Sequence, residues 1–232
     1  MRLMKIGVFD PYLDDLGGGE KYIITLAECL SHYNLVTIFW NRKDDLEKVA
    51  ERFSLDISRL ILKENIFSPG YPFLKRCLDS LSYDVIIVLS DGSIPFVLSR
   101  KLFVHFQQPF PTIRISLKTI LKKMRVTSFF CNSYFTKSFI DKEFRINSQV
   151  VYPPVSIKTK RIRKENIILH VGRFRVVNID SEDYKKQEVM ITVFKKIIDK
   201  GIKDWKLILA VGLHEKDISK FNDFQRKIKG YP

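Results

Sequence analysis

Short apolar runs alternate along this chain with longer stretches in which apolar residues recur every three or four positions. Residues 5–10, 35–40, 85–90, 102–106, 129–132, 150–152, 167–172 and 206–211, rich in Val, Ile, Leu and Phe, read as strands. The stretch 19–30 is the clearest helix, because Ile23, Leu26, Ala27 and Leu30 share one helical face. Further helices are predicted at about 186–200 and 215–229. Strands that alternate with helices predict an α/β class built on a doubly wound parallel sheet.

The pattern breaks at Tyr152-Pro153-Pro154, after which a basic, polar run leads to a fresh strand at Ile167. The expected organisation is an N-terminal domain over 1–155, a linker over 156–166 and a second domain over 167–232. Strand, loop, helix, strand and helix are too few elements to close that second domain, which is expected to be incomplete. The final Lys229-Gly230-Tyr231-Pro232 reads as a turn into another strand.

Composition narrows the class. The chain has 232 residues, of which 45% are hydrophobic and 28% charged, in the range of ordinary globular proteins. No apolar run approaches the roughly 20 residues of a spanning helix. Asp10 cuts the N-terminal apolar run short of a signal peptide. Cys29, Cys77 and Cys131 form no Cys-x-x-Cys pair, and the histidines show no metal-ligand spacing, so no metal site is expected and reduced thiols in the cytoplasm fit best. A formal charge of +14 biases the surface towards polyanions.

Four constellations carry candidate chemistry. Gly17-Gly18-Gly19-Glu20 lies between the first strand and the first helix, where backbone N–H groups can approach an anion; a plain flexible turn is the alternative. His105 ends a buried strand, where sheets of this class present ligand-binding residues, although a hydrogen-bonded core histidine reads the same way. Arg173 with Lys185 and Lys186 would place cations and a helix N-terminus around a diphosphate. In 115–125, Ile120, Leu121 and Met124 share one face while Lys118, Lys122 and Arg125 share another, which suits either an anionic membrane surface or packing on the chain's own core. Asp180, Glu182 and Asp183 read as a solvated loop rather than as acid/base groups.

Taken in order, Gly17-Gly-Gly-Glu-Lys-Tyr22, Val104-His105, Cys131-Asn-Ser-Tyr-Phe-Thr136, Val151-Tyr-Pro-Pro-Val155, Val171-Gly-Arg-Phe174 and Lys185-Lys-Gln-Glu-Val-Met-Ile-Thr-Val-Phe194 resemble the retaining glycosyltransferases of family 4. Within that family they look closest to the α-1,2-mannosyltransferases that extend lipid-linked oligosaccharides. The resemblance implies the GT-B architecture of two Rossmann-like domains, with acceptor on the first and nucleotide-sugar on the second. It implies a UDP- or GDP-linked hexose as donor substrate, no separate cofactor, and no metal. Gly17, Gly18, Gly19 and Glu20 would approach the donor phosphates or the transferred sugar, His105 would lie beside that sugar, and Arg173 with Lys185 would neutralise the leaving diphosphate. The lysine that opens the helix is usually followed by glycine and here by Lys186, so either lysine fits that place. The family's paired glutamates would fall beyond Pro232.

The expected partners are a nucleotide-sugar donor and a lipid-linked or polysaccharide acceptor, with peripheral contact to the cytoplasmic face of an anionic membrane. A truncated, non-catalytic module that binds a membrane or partner chain is the second reading. Nucleic-acid binding, suggested by Lys158, Lys160, Arg161, Arg163 and Lys164, ranks last because no recognition motif accompanies the charge.

Overall fold

Seven parallel strands form one sheet in the order β3-β2-β1-β4-β5-β6-β7. They are β1 (Lys5–Phe9), β2 (Leu35–Phe39), β3 (Leu60–Lys63), β4 (Val85–Ser90), β5 (Lys101–Phe106), β6 (Ser128–Cys131) and β7 (Gln149–Val150). The structure is a computed structural model and describes residues 2–110, 116–155, 157, 163–174, 186–202, 204–213 and 217–231. The chain divides into two compact units, Met1–Ser156 and Ile157–Pro232.

In the first unit the chain builds outward from β1 in both directions. Helices α1 (Gly18–Ser31) and α2 (Lys43–Phe53) carry it from β1 to β2 and β3. It then crosses to β4 through α3 (Phe73–Ser80) and continues through β5, α4 (Leu117–Met124), β6, α5 (Tyr134–Phe144) and β7. Strand order therefore reverses between β1 and β4, and such a switch point leaves a crevice at the strands' C-terminal ends.

Alternation along the strands divides the core into two layers. Ile6 and Val8 of β1 join Val85 and Ile87 of β4 beneath Tyr22, Ile23, Ile24 and Ala27 of α1. Ile86 and Val88 point the other way, into a layer with Phe39, Leu102, Val104, Phe106, Ile140 and Phe144. All six residues of β4 are buried, as expected of a central strand covered on both faces. At Gly7 the second layer leaves no room: a Cβ there would lie 2.4 Å from the Phe39 ring.

The second unit holds a parallel pair, β8 (Ile167–Phe174) and β9 (Lys206–Leu213), with α6 (Gln187–Asp199) and α7 (Ile218–Ile228). Phe174, Ile191 and Phe194 are its buried apolar residues among those described. They line an apolar cavity of about 220 Å³ with Phe221, Phe224 and Ile228.

Differences from the sequence reading include helices α2, α3 and α5, which it did not name, and two strand details. The edge strand β3 has no counterpart there, because Leu60-Ile-Leu-Lys63 is short and half-exposed and lacks the continuous apolar run of the inner strands. Strand β8 runs on through Arg173 and Phe174, which were expected to leave it after Gly172; pairing continues to Arg173↔Gly212 and Phe174↔Leu213, and Phe174 packs edge-on against Phe221 and Phe224.

Candidate functional site

At the switch point the chain leaves β1 through Asp10, turns through a short 3-10 helix (Leu13–Asp15) and a left-handed Leu16, and enters α1 at Gly18. Gly17 is the N-cap and has no side chain to accept from the first turn. Glu20 supplies the reciprocal half of a capping box, its carboxylate accepting the Gly17 N–H. Glu20 is buried and turned onto its own helix start, while Gly18 is exposed with nothing within 4 Å of where a Cβ would stand. The open backbone of the loop is thus at Gly18.

Gly19 faces β5. Gln107 donates from Nε2 to the Gly19 carbonyl at 3.2 Å, and its Oε1 lies 2.6 Å from the position of a Gly19 Cβ. The same Nε2 is 3.5 Å from His105 Nδ1. Asn132, at the end of β6, donates to the Gln107 carbonyl at 3.0 Å and accepts from Thr136 Oγ1 at 2.8 Å, while Ser133 caps α5. One chain of polar contacts therefore joins the glycine loop, the end of β5 and the start of α5.

His105 is fully buried. Its ring stacks on Phe130 with centroids 4.3 Å apart and planes within 6°, and Tyr22 covers it at 4.5 Å. Burial pushes its pKa down from 6.5 to about 3, so the imidazole is neutral at physiological pH. Nδ1 faces the Gln107 amide, and Nε2 is buried without a partner. His105 therefore reaches the crevice through the half-exposed Gln107 rather than directly.

Asp10 is a site residue that the sequence reading used only as the end of a strand. It is buried, and its pKa is pushed up to about 8 by burial and then by the charges of Glu20, Asp15 and Asp14, against one Tyr12 N–H bond that lowers it. Its Oδ1 accepts that N–H at 2.8 Å and its Oδ2 has no partner. At neutral pH this carboxyl is mostly protonated, hence a donor. The available signal was an aspartate closing an apolar strand just before a glycine-rich turn.

Tyr22 donates its hydroxyl to the Val151 carbonyl at 2.9 Å, fixing α1 to the segment that leads into Pro153-Pro154. In the second unit Lys186 is the N-cap of α6 in a left-handed conformation, and Gln187 Nε2 lies 3.4 Å from His170 Nε2. Arg173 is on β8; Lys185, Asp180, Glu182 and Asp183 lie outside the described residues, as do Lys158, Lys160 and Arg161 of the basic run.

The basic helix departs from the core-packing reading. No residue of α4 is buried, and Leu117, Ile120, Leu121 and Met124 are exposed, so its apolar face is not packed on the core. Arg125 does not share the free basic face, because its guanidinium donates to the Ser99 carbonyl at 2.9 Å. Lys118 is exposed and Lys122 half-buried. No described helix is long and apolar enough to cross a membrane, and no described group of three His, Cys, Asp or Glu side chains is placed to hold a metal ion.

No family model matches the chain, and no curated protein matches its sequence. Solved structures do. Anabaena Alr3699/HepE in complex with UDP and glucose matches with a TM-score of 0.61 at 15% identity, over 97% of this chain and 65% of that one. A glycosyltransferase from Rickettsia africae matches at 0.59 and 13% identity, over 99% and 64%. A UDP-N-acetylglucosamine 2-epimerase matches at 0.51 and 12% identity, over 99% and 66%. The chain thus spans about 65% of the length of the first two of these proteins. At such identities the likeness establishes the architecture: this chain has the Rossmann-like α/β fold of GT-B glycosyltransferases.

Proposed function

We propose that the chain serves nucleotide-sugar-dependent glycosyl transfer, moving a hexose from a UDP- or GDP-linked donor to a lipid-linked or polysaccharide acceptor with retained anomeric configuration. The observation that carries this reading is the junction of an open glycine at a helix start with Gln107 and a neutral, buried His105 at the sheet's switch point. The fold is shared with a protein solved with UDP and glucose, and the ordered motifs resemble family 4, including its mannosyltransferases.

Under this reading Gly18 offers a backbone that a phosphate or sugar can approach without meeting a side chain. Gln107 holds the loop carbonyl on one side and hydrogen-bonds sugar hydroxyls on the other. His105 is a positioning residue that fixes Gln107, and Asp10, buried and mostly protonated, holds the turn that leads into the glycine loop through the Tyr12 N–H. Arg173 with Lys185 or Lys186 neutralises the diphosphate as the glycosidic bond of the donor breaks, a task for positioned charge. Hydrogen exchange with UDP-glucose and GDP-mannose tests the assignment. Slowed exchange at 17–20 and 107 with either donor supports it, and exchange there unchanged by both contradicts it.

A second reading, membrane docking, is favoured by a separate observation. Phe73, Leu74 and Leu78 on α3 and Leu81 at its C-cap are exposed like the apolar residues of α4, and Lys118 of α4 is exposed as well. Docking on anionic lipid predicts sedimentation with phosphatidylserine vesicles that falls sharply in Leu121→Asp and weakens with salt. Equal recovery of both proteins with the vesicles would exclude it.

A further inference from the structure

On the face of the sheet opposite α1, beside the C-terminal ends of β1, β2 and β4, lies a second cavity of about 480 Å³. Its walls include Trp40, Phe67, Asp91, Arg76 and Lys122. The aromatic walls are fixed from behind. Trp40 donates its indole N–H to the buried Asp45 at 2.9 Å, and Phe67 stacks on Phe9 with centroids 4.4 Å apart while meeting the Phe39 ring edge-on. The Phe67 N–H is held by Asn65 at 2.9 Å.

The cationic side of the cavity is unbalanced. Arg76 reaches it from α3 and Lys122 from α4, and neither makes an ion pair with a carboxylate among the described residues. The Nε of Arg76 is buried and has no hydrogen-bond partner, a state that a folded protein rarely leaves unexplained. The two cations repel: burial, then Lys118, then Arg76 hold the Lys122 ammonium below its ordinary range. Asp91 is exposed on the rim, and its carboxylate accepts from Ser93 N–H at 3.0 Å rather than from either cation. Two half-buried cations of like sign, an orphaned guanidinium N–H and rigid aromatic walls describe a place that an anion completes.

We propose that this cavity is a binding site for the phosphate group of a phosphorylated acceptor, held by Arg76 and Lys122, with its sugar or first isoprene unit against Trp40 and Phe67. Its role as an acceptor site rests on the glycosyl-transfer reading; its existence as a phosphate site does not. Arg76 presents a planar fork suited to two phosphate oxygens, and Lys122 adds a point charge. Asp91, facing the same space from the rim, is placed to accept from a ligand hydroxyl. A sugar phosphate and a prenyl phosphate offer the same anion, and only the group behind it differs.

The test is calorimetric titration of the protein with inorganic phosphate, glucose 6-phosphate and geranyl phosphate, repeated on Arg76→Gln and Lys122→Gln. Losing one charge-assisted phosphate contact is expected to weaken binding about tenfold in each variant. Lys122 lies on a helix with no buried residue, so its substitution removes no core packing. Tighter binding of geranyl phosphate than of inorganic phosphate marks a lipid-borne acceptor, tighter binding of glucose 6-phosphate marks a soluble one, and equal binding of all three marks a free phosphate site. Any of these, lost in both variants, supports the cavity. Absence of binding by all three probes, or binding that survives both substitutions, overturns it. Titration with UDP-glucose and GDP-mannose in parallel separates the two claims: donor binding without phosphate binding removes the cavity proposal alone, and phosphate binding without either donor leaves the cavity and removes the transferase reading.

Discussion

Gln107 and Gly19 are fitted to each other: the amide of one donates to the carbonyl of the other at 3.2 Å, and its oxygen occupies the space where any side chain at position 19 would begin. A methyl at Gly19 meets only the flexible end of Gln107, so Gly19→Ala is expected to cost about 1 kcal/mol, the worth of the lost hydrogen bond. Its effect on donor binding is expected to match that of Gln107→Ala, and the double variant to be no worse than either single one. Gly18→Ala, facing open space, is expected to leave the melting temperature unchanged or slightly raised while still weakening the donor. Thermal melts and donor titrations on the four proteins check this.

Two buried groups set opposite pH dependences. Asp10, raised from 3.8 to about 8, binds more protons folded than unfolded, so its contribution to stability falls as pH rises across that interval. His105, lowered from 6.5 to about 3, binds fewer protons folded, so its contribution is lost as pH falls across that interval. Each slope approaches ~1.4 kcal/mol per pH unit where fully expressed. The two offset each other between about 4 and 6.5, leaving a decline from about 6.5 to 8 that belongs to Asp10 alone. Urea unfolding at several pH values is expected to show that decline in the wild type, its disappearance in Asp10→Asn, and its extension down to about pH 4 in His105→Leu.

Gly7→Ala tests the core rather than the site. A Cβ at 2.4 Å from Phe39 Cε2 and 3.3 Å from Tyr83 forces ring displacement within one packed layer, an overpacking expected to cost ~1–3 kcal/mol. Phe39→Leu in the same chain is expected to recover part of that loss, which chemical denaturation of the two variants would measure.

Tyr22→Phe removes one hydroxyl and the bond to the Val151 carbonyl. About 1 kcal/mol of stability is expected to be lost. Faster hydrogen exchange confined to α1 and its surroundings would show that Tyr22 ties that helix to the end of the first unit.

The inner strands were legible because burial on both faces writes them as unbroken apolar runs, as in Val85-Ile-Ile-Val-Leu-Ser90. The edge strand β3 was not, since only alternate residues are half-buried and its signal comes from pairing with β2. Gly17 to Gly19 announced a loop by composition, but only packing distinguishes the open Gly18 from Gly19 beneath Gln107. His105 was visible as a histidine ending a strand; that it is sealed between Phe130 and Tyr22 depends on β6 and α1, both far away in sequence. Asp10 and Arg76 look like ordinary surface charges in the sequence, and their unpartnered buried atoms exist only once the C-terminal end of β1 and α3 are in place.

The central claim is glycosyl transfer from a nucleotide-sugar, and product analysis tests it most directly. The full-length protein would be incubated with α-linked UDP-glucose or GDP-mannose and glycan or prenyl-phosphate acceptors, and the products followed by phosphorus and proton NMR. Release of nucleoside diphosphate in step with a new α-glycosidic anomeric signal, both diminished in Gln107→Ala, is the predicted result. No nucleoside diphosphate from either donor with any acceptor, or a new linkage formed equally well by Gln107→Ala, would contradict the account.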